Sequence, residues 1–205
     1  MKIPIAPLNN LFVTIEKKFY DTVSFESGIT LYKDTTFHPE ESAMIIGKVV
    51  SVPNGIQQRP DYEGFQCRME PGDIILMRYD VVFCYIDQPD RDTPIYKNVL
   101  LYNGAEYWRV NIQQVFAIQR GNGWEMVNGY VMGDNINVER RGAIFVPEVF
   151  QASEYNHTMR VRHIGPAAVV PGDIIHVMPN VAQRYELDAD VFYIIKQSHV
   201  LGKTG

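Results

Sequence analysis

Apolar residues along the chain come in short runs, several of them alternating with polar ones, and Gly, Pro, Asn or Asp closes most runs. Leu11–Ile15 (LFVTI), Ile45–Val52 (IIGKVVSV), Asp73–Met77 (DIILM) and Val191–Ile195 (VFYII) are examples. Runs of this length, rich in Val, Ile, Tyr and Phe and bounded by turn residues, predict β-strands. Their close spacing predicts an all-β barrel or sandwich, and no stretch keeps a strong helical period. The Gly-rich segment Gly121–Trp124 (GNGW) reads as a boundary, which divides the chain into domains over 1–120 and 125–205.

The pattern is also repeated. PGDII occurs at Pro71–Ile75 and again at Pro171–Ile175, an offset of 100. Pro-Gly-Asp ahead of a strand is a common turn, so the neighbours decide whether the repeat is real. Val13–Lys18 (VTIEKK) matches Ile136–Arg141 (INVERR) at offset 123, and Gly28–Leu31 matches Gly142–Phe145 in type at offset 114. The strand from Gly47 (GKVVSVP) matches that from Met159 (MRVRHIG) at offset 112, and Trp108–Ala117 (WRVNIQQVFA) matches Tyr193–Gly202 (YIIKQSHVLG) at offset 85. The offset falls steadily from 123 to 85, so the first copy is expected to be longer by 38 residues, carried in three loops. Duplicated domains diverge this way, because strands persist and loops absorb length.

This ladder of motifs resembles the GroES co-chaperonin family over nearly the whole chain. Pro7–Asn10 (PLNN) and Val131–Asp134 (VMGD) fill the family's opening turn. Ser27–Leu31 (SGITL) and Arg141–Pro147 (RGAIFVP) fill its mobile loop, MEPGDIIL and VVPGDIIH its next strand, and NIQQVFAI and KQSHVLG its end. The resemblance implies two GroES-like β-barrel domains in tandem. It also implies a protein without chemistry of its own that caps an ATP-dependent chaperonin ring and assists protein folding. The partner-docking segments would be Gly28, Ile29, Thr30 and Leu31 in one loop and Gly142, Ala143, Ile144, Phe145 and Val146 in the other. Family rings form when the terminal strand of one barrel pairs with the first strand of the next, so a homo-oligomer is implied. A tandem chain satisfies one such junction internally and leaves one edge free at each end. Each loop contact is weak, because ordering a loop costs free energy, and a ring gains through multivalency. The second triplet offers three apolar side chains against two and a hydroxyl, so it is expected to contribute more binding energy.

Composition narrows the alternatives. The chain has 205 residues, 46% hydrophobic and 21% charged, ordinary proportions for two soluble domains. No apolar run reaches membrane-spanning length, and MKIPIAPLNN has no apolar core of signal-peptide length. With a net charge of −5 and no basic stripe, a nucleic-acid partner is not expected. Two cysteines, Cys67 and Cys84, do not make a disulfide framework and suggest a reducing, cytoplasmic setting.

Candidate chemistry changes little. His38, His157, His163, His176 and His199 lack metal-ligand spacing, so no metal and no cofactor is expected. Zinc-dependent alcohol dehydrogenases also contain GroES-like folds, but no Gly-x-Gly-x-x-Gly opens a nucleotide-binding unit here. Glu186, Asp188 and Asp190 alternate without the glycine and closing glutamate of a calcium loop, and read as a solvated turn. Ser198-His199 is not a nucleophile elbow. Asn54–Phe65 (NGIQQRPDYEGF) corresponds to the family's roof hairpin and is either a surface loop or a contact. An enzyme is therefore not expected. Two readings remain: a co-chaperonin, or a GroES-like structural or interaction protein of a phage or bacterial assembly.

Overall fold

A computed structural model describes residues 3–19, 22–24, 28–32, 43, 45–57, 67–83, 85–86, 95–136, 157–165, 169–179, 181–187 and 190–204. Among the described residues the protein is all-β apart from one turn of α-helix and two single-turn 3-10 helices. The strands are β1 (Asn10–Thr14), β2 (Thr22–Ser24), β3 (Thr30–Tyr32), β4 (Ile46–Ser51), β5 (Ile74–Met77), β6 (Tyr85–Ile86), β7 (Ile95–Tyr96), β8 (Val99–Tyr102) and β9 (Ala105–Asn111). They continue with β10 (Val115–Arg120), β11 (Gly123–Met126), β12 (Tyr130–Asn135), β13 (Thr158–Ile164), β14 (Ile174–Val177), β15 (Gln183–Leu187), β16 (Asp190–Lys196) and β17 (Val200–Thr204). Helix α1 spans Asp80–Phe83. The chain divides into two compact units, Met1–Gln119 and Arg120–Gly205. Gly121 and Asn122 form a turn, while Gly123 and Trp124 already belong to β11.

One sheet has seven strands in the order β11-β10-β5-β4-β1-β9-β8, and the other six in the order β15-β16-β12-β13-β14-β17. Read from the opposite end, the second order reproduces the first from β10 to β8, strand for strand. The registers agree residue by residue. Gly47 faces Ile75 as Met159 faces Ile175, which joins offsets 112 and 100. Trp108 faces Val99 as Tyr193 faces Arg184, both at offset 85. Val115 faces Met77 as Val200 faces Val177, with a register shift following in each pair.

The reason PGDII recurs is visible in its turn. Asp73 Oδ2 accepts from Glu70 N at 2.8 Å, and Asp173 Oδ2 accepts from Val170 N at 3.0 Å. Gly72 N donates to Val49 O at 2.8 Å, and Gly172 N to Val161 O at 2.8 Å. Both glycines have left-handed backbones, φ 101° and 95°, where a Cβ is strained. Aspartate, glycine and the valine of the neighbouring strand, Val49 or Val161, are thus tied by one set of bonds in both copies. That Val170 N bond, with the pairing to Lys203, holds the Asp173 carboxyl below its ordinary range.

One expected alignment is corrected. Asn10 faces Asn111, and Tyr130 faces Lys196, so the opening strands are 120 residues apart rather than 123. Val13 therefore corresponds to Gly133, not Ile136, and Pro7–Asn10 to Val127–Tyr130, not to Val131–Asp134. The turn bonds agree, with Asn10 N on Pro7 O at 3.1 Å and Tyr130 N on Val127 O at 3.0 Å. With the offset falling from 120 to 85, the first copy is longer by 35 residues, not 38.

The extra length after β5 starts with α1, whose Val81 and Val82 are buried. Asn98 Nδ2 closes the insertion by donating to Val81 O at 2.9 Å. The core of the second unit gathers Val131, Met159, Val161, Ile175, Val177 and Ile195. Each such side chain stabilises the fold by about 1.5–3 kcal/mol on burial. No helix among the described residues is long and apolar enough to cross a membrane.

Candidate docking site

The first predicted docking segment sits on a small hairpin of its own. β2 pairs with β3 in the register Thr22↔Tyr32, Val23↔Leu31 and Ser24↔Thr30. This two-stranded sheet is separate from the two large ones. Gly28 precedes β3 at φ 81°, with nothing near where a Cβ would be. Ile29 is 58% exposed and Leu31 55%, and Thr30 and Tyr32 are exposed with them. Ile29-Thr30-Leu31 is therefore not core. Leaving two aliphatic side chains in water forgoes the stabilisation that burial gives such groups, and a partner able to cover them gains it. The second segment, Gly142, Ala143, Ile144, Phe145 and Val146, lies outside the described residues, as do Cys84, His38 and Asp188.

The two copies also differ at their last strand. β10 buries Val115 through Ile118, whereas Leu201 through Thr204 of β17 are exposed. β17 is the end strand of its sheet, and no strand pairs with its outer edge among the described residues. Ahead of β1, residues 3–6 alternate, with Ile3 and Ile5 exposed and Pro4 and Ala6 buried. Ala6 N donates to Ser51 Oγ at 3.1 Å, and Ala6 packs with Phe12 and Tyr107. At the 120-residue offset these positions correspond to β11, which is a paired strand. Sequence reasoning does not single out these residues. The signal was present in the spaced isoleucines of IPIA and in the leucine of VLGKT.

Several other polar side chains have structural partners. Arg162 on β13 bonds Asp190 Oδ2 at 2.6 Å and Asp134 Oδ1 at 2.5 Å, tying three neighbouring strands. Those two carboxylates raise the Arg162 pKa further. Glu186 pairs with Arg184 at 3.2 Å, so the two described carboxylates of that alternation, Glu186 and Asp190, are both ion-paired. His176 Nε2 lies 3.1 Å from Thr204 Oγ1 across β14 and β17. Cys67 is half-buried, and that burial pushes its thiol pKa up. Among the described residues no group of three His, Cys, Asp or Glu side chains converges to hold a metal. No protein-family model and no curated relative matches the chain.

Proposed function

We propose that the protein is a tandem co-chaperonin that caps a chaperonin ring through the apolar triplets of its two loops. The observation that carries this reading is the exposure of Ile29 and Leu31 on a hairpin outside both large sheets. Two copies of one strand order in a single chain support it, because in each copy one of the two triplets falls in the sequence between the first and second large-sheet strands. The lid has no catalytic step of its own. Its work is to dock weakly at several points and leave when the chaperonin turns over.

The working form is a homo-oligomer. β17 corresponds to the buried β10 yet is open, and residues 3–6 correspond to the paired β11 yet are unpaired among the described residues. A second molecule supplies what each lacks by strand addition. Whole chains bring domains in pairs, so three or four chains make six or eight.

The competing reading, a structural or interaction protein with the same fold, is favoured by β2–β3 being already paired rather than an open loop. Mixing the protein with a chaperonin and ATP and imaging by electron microscopy separates the two. Capped particles are expected, and uncapped chaperonin at saturating protein overturns the lid reading.

A further inference from the structure

We propose that Asn54-Gly55 is a site of spontaneous covalent modification, at which asparagine converts to isoaspartate and slackens a clasp built around Asn9.

The sequence holds four Asn-Gly pairs: Asn54-Gly55, Asn103-Gly104, Asn122-Gly123 and Asn128-Gly129. Each carries the same latent reaction. The glycine backbone nitrogen, deprotonated by base, attacks Cγ of the asparagine. The N–Cγ bond forms, the Cγ–Nδ2 bond breaks, and Nδ2 leaves as ammonia with a proton from solvent. Water then opens the cyclic imide at one of its two carbonyls, giving aspartate or isoaspartate. Glycine favours the closure because no Cβ shields its nitrogen. Closure also turns the asparagine backbone, so a peptide held by its neighbours resists it.

The fold separates the four pairs. Asn103 and Gly104 are both left-handed, φ 51° and 75°, between the paired residues Tyr102 and Ala105. Asn128 and Gly129 are left-handed too, φ 59° and 69°. Their turn is closed by Tyr130 N on Val127 O at 3.0 Å and held from outside by Gln197 N on Gly129 O at 2.7 Å. Gly123 opens the paired strand β11. Asn54-Gly55 alone lies in neither a strand nor a two-residue hairpin turn. It follows β4 in a bend, Asn54 is exposed, and neither residue is left-handed.

The consequence comes from how the segment is tied. At one end Ser51 Oγ accepts from Ala6 N at 3.1 Å. At the other, Gln57 N donates to Asn9 Oδ1 at 2.7 Å, and Asn9 Nδ2 donates to Gln57 O at 3.5 Å. Asn9 is buried and left-handed at φ 62°, and its own carbonyl accepts from Ile112 N at 3.0 Å. Its counterpart at the 120-residue offset, Gly129, keeps that backbone bond through Gln197 and has no side chain to clasp with. Isoaspartate routes the main chain through Cβ and Cγ, so the stretch between the two ties gains a methylene as well as a carboxylate. The lengthened stretch no longer spans its ties in register, and the bonds at Gln57 loosen.

Peptide mapping by mass spectrometry tests the site, with the full chain incubated in mildly alkaline buffer, native and in denaturant. In denaturant all four pairs are expected to convert at similar rates. In the native protein Asn54 is expected to convert fastest. Asn103 and Asn128 should convert about two- to tenfold more slowly, the factor for one net backbone hydrogen bond that must first break. Gly55→Ala should suppress conversion at Asn54 and leave the other three pairs unchanged. Its added Cβ meets Leu8 Cδ2 at 3.8 Å, an ordinary contact, so the variant is expected to fold. The isoaspartate form, separated by chromatography, should exchange the Gln57 amide hydrogen faster than unmodified protein. It should also exchange faster than Asn54→Asp, which carries the charge without the extra methylene. Native conversion at Asn54 no faster than at Asn103 and Asn128 overturns the site. Conversion at Asn54 with Gln57 exchange unchanged, or matched by Asn54→Asp, overturns the slackened clasp.

Discussion

Val13 fills the space that Gly47 leaves on the neighbouring strand, and in the second repeat the two roles are exchanged. A Cβ built on Gly47 would meet Val13 Cγ2 at 3.0 Å, tighter than ordinary packing. The corresponding pair is Gly133 and Met159, where a Cβ on Gly133 would meet Met159 Cε at 3.1 Å. The larger side chain has changed strands and the gap has changed with it. A core at near-crystalline density tolerates such a change only when volume is conserved locally.

This exchange makes a prediction about coupling. Gly47→Met alone should destabilise the first unit by about 1–3 kcal/mol through overpacking. Val13→Gly alone should also destabilise, by removing a buried side chain. Together they recreate the second repeat's arrangement, and the double variant should be more stable than the sum of the two losses. Denaturant unfolding of all four proteins gives the coupling directly. The reverse experiment should not be rescued, because a side chain on Gly133 also meets the backbone carbonyl of Arg160. Additive losses in the first unit would show that the two positions do not share one space.

The same exchange explains what could and could not be read from the sequence. The continuous Ile-Leu-Met of β5 is buried and the alternating Ile-His-Val of β14 exposes its histidine, since side chains alternate across a strand. The Pro-Gly-Asp turns were legible because the aspartate bonds and the left-handed glycine constrain residue type directly. The opening strands were misaligned by three residues because type matching fails where volume has moved to the partner strand, as at Val13 and Gly133. Helix α1 was missed because four residues are too few to show a helical period. The docking triplet's exposure was also beyond the sequence. Ile-Thr-Leu fits a buried strand as well as an open hairpin, and only the packing around it tells them apart.

Acid should loosen the second unit through His163. Its imidazole is half-buried, with Cε1 3.8 Å from where a Cβ on Gly123 would be. Burial lowers its pKa, the neighbouring Arg162 lowers it further, and Asp190 opposes both. The folded protein therefore takes up this proton less readily than the unfolded chain. The stabilisation is present above the unfolded value of about 6.5 and is lost as pH falls through the lower folded value. The equivalent residue in the first copy is Ser51, which does not titrate. His163→Ser should make thermal stability less sensitive to pH between neutral and mildly acidic buffer, while the carboxylate-driven loss at lower pH remains. Parallel melting-temperature profiles for the two proteins across that window would refute the assignment.

The docking triplets give the last prediction. Ile29→Ser with Leu31→Ser removes two aliphatic side chains that contact little of their own unit. The melting temperature should hold, since substitutions at exposed sites typically change stability by within about 0.5 kcal/mol. Under the proposed lid role, chaperonin capping should weaken strongly, because each aliphatic group gains about 1.5–3 kcal/mol when a partner buries it and the loss would be repeated at every subunit of the proposed ring. Ile144→Ser with Val146→Ser should weaken capping more. That triplet offers Ile, Phe and Val where the first has a threonine at its centre. Its loop is also shorter, and closing a shorter loop loses slightly less entropy. Pro147 directly after it restricts the chain and suits a fixed, packed segment, so the second pair is the more demanding test. Melting curves and a capping assay on both double variants check the argument together. If the first pair unfolds the protein, the exposure of Ile29 and Leu31 has been misread. If the second pair does so, that triplet is core, and docking falls to the first loop alone.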